Sequence, residues 1–427
     1  MDIWKKKILK RNKMRVLWFS LTPSNYKKAK GLGYNGGGWI ASLETEIIKN
    51  KDVSLGIAFF SGASLQKEQI GEVAYYLMPH PRKGIKSKIN FFTNYDVDIE
   101  IAPYLPVFKR VVDEFKPDII QIFGSESVLG FVRLITSVPC VLHMQGLINP
   151  YINAFYPPSF SKSTFLFRSK NPIKFLSAYK EMITWKNNAI RESYLLNKIL
   201  FFIGRTEWDK AVAMEFNNHA LYFYGSEILR ESFYKQTART NPQRMTIVST
   251  MSGVAYKGLD MLLKTAHVLK YLLKSDFTWI VYGSVVNVPL FEKHTGIKAV
   301  DVNVDFRGVG SETDIYEALC NATAFAHTSY IDNSPNAVCE AQLVGCPVVS
   351  TNVGGISSLI EDGIDGFLVP SNDPYMMAWK LLNLYKDKQL NQIVAFKGQE
   401  RAKARHNKER VVKELIDIYD KILSNKQ

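Results

Sequence analysis

The 427-residue chain has only four cysteines, Cys140, Cys320, Cys339 and Cys346. They have neither the density of a disulfide framework nor the paired short spacing of a zinc site, which suits a reducing compartment. Long apolar runs are also missing, since no stretch approaches the ~18 uninterrupted apolar residues of a spanning helix. The first apolar run, Val16 to Leu21, is too short for the core of a secretory signal and leads into Thr22-Pro23. Neither export by that route nor integral membrane insertion is expected. There is no long low-complexity tract or short-period repeat, which removes fibrous and solenoid architectures. Helix-turn-helix, zinc-finger and stacked-aromatic RNA motifs are absent too, so nucleic acid is not an expected partner.

What is present is apolar material: 46% of residues, with 12% aromatic and 22% charged. At roughly 150 residues per domain, this suffices for two full cores. The formal charge of +14 is concentrated at one end, because residues 1–30 hold ten Lys/Arg against Asp2 alone. A basic end of this kind suits an anionic membrane surface or a phosphorylated ligand.

Short β-branched or aromatic runs alternate with amphipathic stretches. They include Arg15 to Ser20, Leu55 to Phe60, Asp118 to Gly124 and Val138 to Gln145, then Met245 to Thr250, Thr278 to Gly283, Asp305 to Gly308, Ala324 to Ser329, Pro347 to Thr351 and Gly366 to Pro370. That is the rhythm of parallel strands joined by helical crossovers, and it predicts two doubly wound α/β domains. Polar Arg239 to Arg244 reads as the linker. The expected organisation is a basic extension over 1–13, a first domain over 14–240, a second over 241–395, and terminal helices over 396–427 packing back on the first. In the last segment Val411, Val412, Leu415, Ile416, Tyr419 and Ile422 share one helical face.

The most informative segment is DNSPNAVCE, Asp332 to Glu340, between two apolar runs. It reads as strand, loop, helix. Asn333 or Ser334 suits the helix cap, and Pro335 the first helical position. The amides of Asn336, Ala337 and Val338 would then lack helical partners and could receive phosphate oxygens, aided by the helix dipole. Glu340 falls at the edge of the apolar stripe of Ala337, Ala341 and Val344. A half-buried carboxylate needs donors, which either a ribose diol or a local salt bridge supplies.

With KGLDMLLKTA (Lys257 to Ala266), VDFRGVGSETDIYEAL (Val304 to Leu319), EAQLVGCPVVSTNVGGISSLIEDGIDGFLVP (Glu340 to Pro370) and an early glycine-rich loop, the arrangement resembles the acid-x7-acid pattern of the family 4 retaining glycosyltransferases. The resemblance implies the GT-B fold, two Rossmann-like domains facing a cleft, with a nucleotide sugar held mainly by the second. By position, Glu340 resembles the ribose-binding acid and Asp332 the acid contacting the donor sugar. The stretch Ser334 to Val338, including Asn336 and Ala337, resembles the diphosphate cradle, Lys257 the diphosphate-binding lysine, and Val309 the segment along the base. Two positions depart from the pattern: Asp332 stands where Glu is usual, and Ser252 where an Arg is common.

In the first half, Gly36, Gly37 and Gly38 open a helix, where missing side chains let backbone approach a donor; a surface loop is the alternative. Lys27, Lys28 and Lys30 beside it could face an anionic acceptor or simply water. His143 stands at a strand's carboxyl end, where ligands bind in open α/β sheets; it is either a satisfied structural residue or, as the resemblance implies, a catalytic candidate near the donor sugar or acceptor, and Arg205 is a candidate for acceptor phosphate contact or for structural support. Residues 151–186 hold nine aromatics and six Lys/Arg against Glu181 alone, which suits an anionic bilayer interface.

The implied activity is retaining transfer of a sugar from a nucleoside diphosphate sugar to a glycan or lipid-linked acceptor, in bacterial cell-surface polysaccharide synthesis. No resident cofactor or metal is expected. The expected location is cytoplasmic, extending to the inner face of the plasma membrane. A non-catalytic nucleotide-sugar-binding partner and a UDP-sugar epimerase-like enzyme are the alternatives.

Overall fold

The structure, a computed structural model, describes residues 13–424 except 31–37, 83, 159, 169–170, 236–238, 241 and 285–286. The basic segment 1–12 and the glycines Gly36 and Gly37 lie outside the described residues.

The first sheet contains β1 (Met14–Phe19), β2 (Val53–Phe60), β3 (Gln66–Ile70), β4 (Val73–Met78), β5 (Ile119–Phe123), β6 (Cys140–His143), β7 (Phe201–Gly204) and β8 (Leu221–Tyr224). Their spatial order is β3-β4-β2-β1-β5-β6-β7-β8, parallel except for the β3–β4 pair. Parallel strands covered on both faces require continuous apolar runs. Accordingly Val16 to Phe19 and Ile119, Ile120, Ile122 and Phe123 are fully buried. β3, QKEQI, is the polar edge, and its charged residues discourage pairing with another chain.

The second sheet contains β9 (Met245–Thr250), β10 (Phe277–Tyr282), β11 (Val304–Gly308), β12 (Ala324–His327), β13 (Val348–Thr351) and β14 (Phe367–Val369). It is ordered β11-β10-β9-β12-β13-β14 and wholly parallel. Strand order reverses between β9 and β12 here and between β1 and β5 in the first sheet. In open α/β sheets ligands bind beyond the carboxyl ends at such reversals.

Helices Pro374–Lys386 and Lys388–Arg405 stay with the second lobe. The final helix, Lys408–Ser424, returns to the first, burying Val411, Leu415, Ile418, Tyr419 and Ile422 in one cluster with Val16, Trp18 and Ile57. Five such side chains contribute roughly 1.5–3 kcal/mol each by leaving water, which outweighs the weak intrinsic stability of a lone helix.

Candidate active site

A cavity of about 590 Å³ lies between the lobes, where both reversals face each other. On the second-lobe side, β12 ends at His327 and the chain runs through Asp332 into the helix Asn336–Val344. Pro335 is the residue before the helix, in extended conformation, and not its first helical residue. Its carbonyl accepts the Val338 amide at 3.0 Å. Val338 is buried behind the wall, so the amides of Asn336 and Ala337, which do line the cavity, are the ones left toward it. Asn333 does not cap the helix, because its side chain bridges the lobes: Nδ2 donates to Gln145 O and to Asp209 Oδ2, both at 2.9 Å, and Oδ1 accepts from Thr206 at 2.7 Å.

Asp332 is the centre of a polar cluster. Its Oδ2 accepts from Lys257 Nζ at 2.5 Å and lies 3.0 Å from His327 Nε2, and Tyr151 OH donates to Oδ1 at 3.4 Å. Burial pushes the Asp332 carboxyl up, but the Lys257 charge and the His327 hydrogen bond outweigh it and hold the group far below the usual carboxylate range. Lys257 ends a short 3-10 turn and is followed by Gly258 at φ 74°. A Cβ on Gly258 would stand 1.9 Å from the Thr328 carbonyl, so only glycine lets this turn close on the strand-end loop.

Glu340 sits deeper. Arg230, from the segment joining the lobes, donates Nε to Oε1 and Nη2 to Oε2, both at 2.7 Å, and Glu340 is not among the cavity-lining residues. Burial raises the Glu340 pKa, and Arg230 opposes that rise. Val309 lines the cavity and is exposed, as Ser334 and Ser252 line it.

From the first lobe, Arg205 lines the cavity with its guanidinium 4.4 Å from the Trp39 ring centroid and 3.3 Å from Glu227, while its Nη2 is buried without a hydrogen-bond partner. Lys257 and Arg205 are the cations among the described lining residues. His143 lies outside the lining. It is buried against Trp39 and Phe123, and Gln121 Nε2 donates to its Nδ1 at 3.0 Å. Burial and the nearby Arg205 charge hold its pKa well below the usual imidazole value, so the ring is neutral. The Gln121 carbonyl in turn accepts from Tyr419 OH on the final helix. Gly38 opens the helix Gly38–Ile47 at φ 57°. Lys27 and Lys28 are exposed on the short helix Tyr26–Ala29 and do not line the cavity.

Sequence reading passed over Glu126, Tyr256 and His327 and assigned Tyr151 and Trp185, with the other aromatics of 151–186, to a bilayer interface, whereas all five line the cavity. For Glu126 and His327 a signal existed, since each stands at the carboxyl end of a strand beside a reversal. Tyr151 is placed by a long-range device: Glu192 accepts the Ile148 and Asn149 amides at 2.9 and 2.7 Å, capping the helix Ile148–Asn153 that carries it.

Away from the cavity, Glu227, Cys339 and His406 hold ligand-type atoms within 4.8 Å of one another. Burial raises the Cys339 thiol and lowers His406 to about 4, and Arg205 and Arg405 act on the same cluster. Neighbouring guanidinium charge opposes a second cation there.

Residues 230–401 match the family model described as glycosyl transferases group 1. A D-inositol 3-phosphate glycosyltransferase of Salinispora tropica is 29% identical over 188 residues, which is 42% of this chain and 39% of that protein. The amylovoran biosynthesis glycosyltransferase AmsK of Erwinia amylovora is 25% identical over 235 residues, 53% of this chain and 57% of that one. The chain thus spans less than two thirds of either relative. The crystal structure of Anabaena HepE with UDP-glucose superposes with a TM-score of 0.63 at 16% identity, covering 96% of this chain and 100% of that chain. Two doubly wound lobes facing a cavity, superposable on HepE, constitute the GT-B fold.

Proposed function

We propose, starting from a second lobe that belongs to the glycosyl transferases group 1, that the chain transfers a sugar from a nucleoside diphosphate sugar to a glycan or lipid-linked acceptor with retention of configuration. The observation that carries this reading is the convergence of Lys257, Asp332 and the free amides of Asn336 and Ala337 on one cavity wall. A diphosphate laid on those amides meets the positive end of the helix dipole and the Lys257 ammonium, and Arg205 adds charge from the opposite lobe. As the bond to the sugar breaks, charge grows on the diphosphate, and preorganised donors in a drying cleft stabilise that growth. Asp332, kept anionic by Lys257, accepts hydroxyl hydrogen bonds from the sugar. Glu340 keeps lone pairs for a ribose diol beside the two that Arg230 occupies. The cationic role falls to side chains, so the reading calls for no resident cofactor or metal.

The names of the Salinispora and Erwinia relatives support a place in glycoconjugate or surface polysaccharide synthesis. Among the described residues no helix is long and apolar enough to cross a membrane. Docking on an anionic membrane surface is part of the proposal. It is supported by exposed Phe167, Ile173 and Leu176 beside exposed Lys162, Lys174 and Lys180, and by Ile85, Ile89 and Phe92 with Lys86 and Lys88 on the helix Ile85–Phe92, which packs against the helix Pro172–Leu196 that carries Ile173 and Leu176.

The test is a thermal-shift screen of UDP-, GDP- and ADP-sugars, followed by product analysis. A ligand at 100 times its dissociation constant stabilises by about 2.7 kcal/mol. Sugar transfer with the anomeric configuration kept supports the proposal. Binding without turnover indicates a non-catalytic binder, and isomerised free nucleotide sugar indicates an epimerase; either would end it.

A further inference from the structure

Asn333 follows Asp332 directly, is 1% exposed, and makes four hydrogen bonds across the cleft. Its backbone amide donates to Tyr151 OH at 3.0 Å, and its side chain reaches Gln145, Asp209 and Thr206 at the distances given above. All of these partners belong to the first lobe.

The first lobe builds the receiving surface by itself. Thr206 and Asp209 form the capping box of the helix Glu207–Phe216, in which the Thr206 hydroxyl oxygen accepts the Asp209 amide at 3.0 Å and Asp209 Oδ1 accepts the Thr206 amide at 3.4 Å. Asp209 Oδ2 accepts the Arg205 amide at 3.1 Å and keeps a further lone pair. What the box leaves over is therefore one hydroxyl hydrogen beside one carboxylate oxygen. A side-chain amide answers both, because it carries an acceptor and two donors in one plane. A carboxylate in its place would set like charges against each other at Asp209.

The loop is pressed into this box from behind. A Cβ on Gly354, at φ 53°, would lie 1.9 Å from the Asp332 carbonyl, and one on Gly355 would lie 2.5 Å from the Asn333 carbonyl and 2.6 Å from Thr206 Cγ2. The Gly355 amide donates to the Asp332 carbonyl at 3.0 Å.

We infer that Asn333 is a positioning residue for transfer, setting the register of the second lobe and its donor-binding groups against the first-lobe wall of Trp39, Tyr151 and Trp185. The inference rests on the transferase reading above. The groups which that reading gives to the donor on the second lobe, namely Lys257, the Asn336 and Ala337 amides and Glu340, do not need Asn333 in order to bind. Hydrogen bonds exchanged for bonds to water contribute little net affinity, so this network releases when the lobes part. Once closed and buried, it admits only the arrangement in which every member is paired, whereas a purely apolar contact would let the lobes slide. Asn333 thus acts on alignment and on the exclusion of water at closure.

The experiment uses the full chain, the nucleotide sugar giving the largest thermal shift, and octyl glucoside, octyl galactoside and octyl N-acetylglucosaminide as acceptors. For Asn333→Asp we expect kcat for transfer to fall about 100-fold, the scale of a misplacement near 1 Å. The nucleotide-sugar concentration that gives half the thermal shift should stay unchanged. Donor hydrolysis relative to transfer should rise, and small-angle X-ray scattering with saturating donor should give a larger radius of gyration than wild type. Asn333→Ala, which adds no charge, should move both readouts in the same direction by less. A role confined to folding would lower the melting temperature and move neither. Variants with the wild-type hydrolysis ratio and radius therefore overturn the inference while leaving the transferase reading intact. Wild type that binds nucleotide sugar but transfers to none of the three acceptors and hydrolyses none of the donor removes the transferase reading, and the inference with it.

Discussion

Arg230 and Glu340 meet edge to edge, with two N–H···O contacts of 2.7 Å, and so fasten the segment between the lobes to the helix whose amino end faces the cavity. Arg230 also lies 4.7 Å from the Phe233 ring centroid, which fixes the plane of the guanidinium. The pair is mostly out of water, so removing one partner leaves an uncompensated charge.

Arg230→Ala is therefore expected to destabilise the protein by about 3–5 kcal/mol, and Arg230→Lys to recover only part of this because the two-pronged geometry is lost. Urea unfolding measures both. Glu340→Gln should weaken nucleotide binding in calorimetry, and equal affinity would place the ribose elsewhere.

Lys257→Ala should lower turnover more than nucleotide affinity, since the ammonium meets its largest charge as the diphosphate leaves. The same change has a pH signature. The folded pKa of Asp332 is depressed, so the group contributes stability above its unfolded value near 4, and that stability disappears as pH falls toward the folded value. Without Lys257 the folded pKa rises toward the unfolded one, and the acid-side gain should shrink. Melting temperatures between pH 3 and 6 should converge for the two proteins at the acid end and differ most at pH 6.

Tyr419→Phe removes the hydroxyl that donates to Gln121 and accepts from Trp18 Nε1 at 3.3 Å. The site is fully buried, so a loss of about 1–3 kcal/mol is expected from the orphaned groups. Nitrogen-15 chemical shifts of His143, whose Nδ1 hangs from the same amide, should change in parallel.

Ile173→Glu with Leu176→Glu should abolish co-flotation with phosphatidylglycerol vesicles while leaving the melting temperature within about a degree, because both side chains are exposed. Wild-type flotation should weaken as salt rises. Flotation by the double variant equal to wild type would remove the membrane proposal.

The doubly wound lobes were legible in the sequence because parallel strands buried on both faces leave unbroken apolar runs, as at Met245 to Thr250. β3 was not, since an edge strand reading QKEQI has a solvated face and no apolar run, and β4, VAYYLM, pairs with it. Asp332, Lys257 and Ser334 could be read because they lie in short motifs whose spacing survives folding. Tyr151 and Arg230 could not: each owes its place to a partner far along the chain, Glu192 capping the helix that carries Tyr151 and Glu340 at 2.7 Å from Arg230. Val338 shows the reverse error. It fits the cradle by counting from the proline, but the proline precedes the helix, and the count shifts by one.

The final helix gives the lobes a second tether. The chain passes from the first lobe to the second near Arg230 and returns at His406, so cutting one crossing would leave the halves joined by the other. A motion that opens the cavity must bend both crossings together, and two parallel straps permit swinging about a single axis far more readily than twisting or sliding. For the transferase proposed above, that swing would be the route by which ligands enter and leave the cavity.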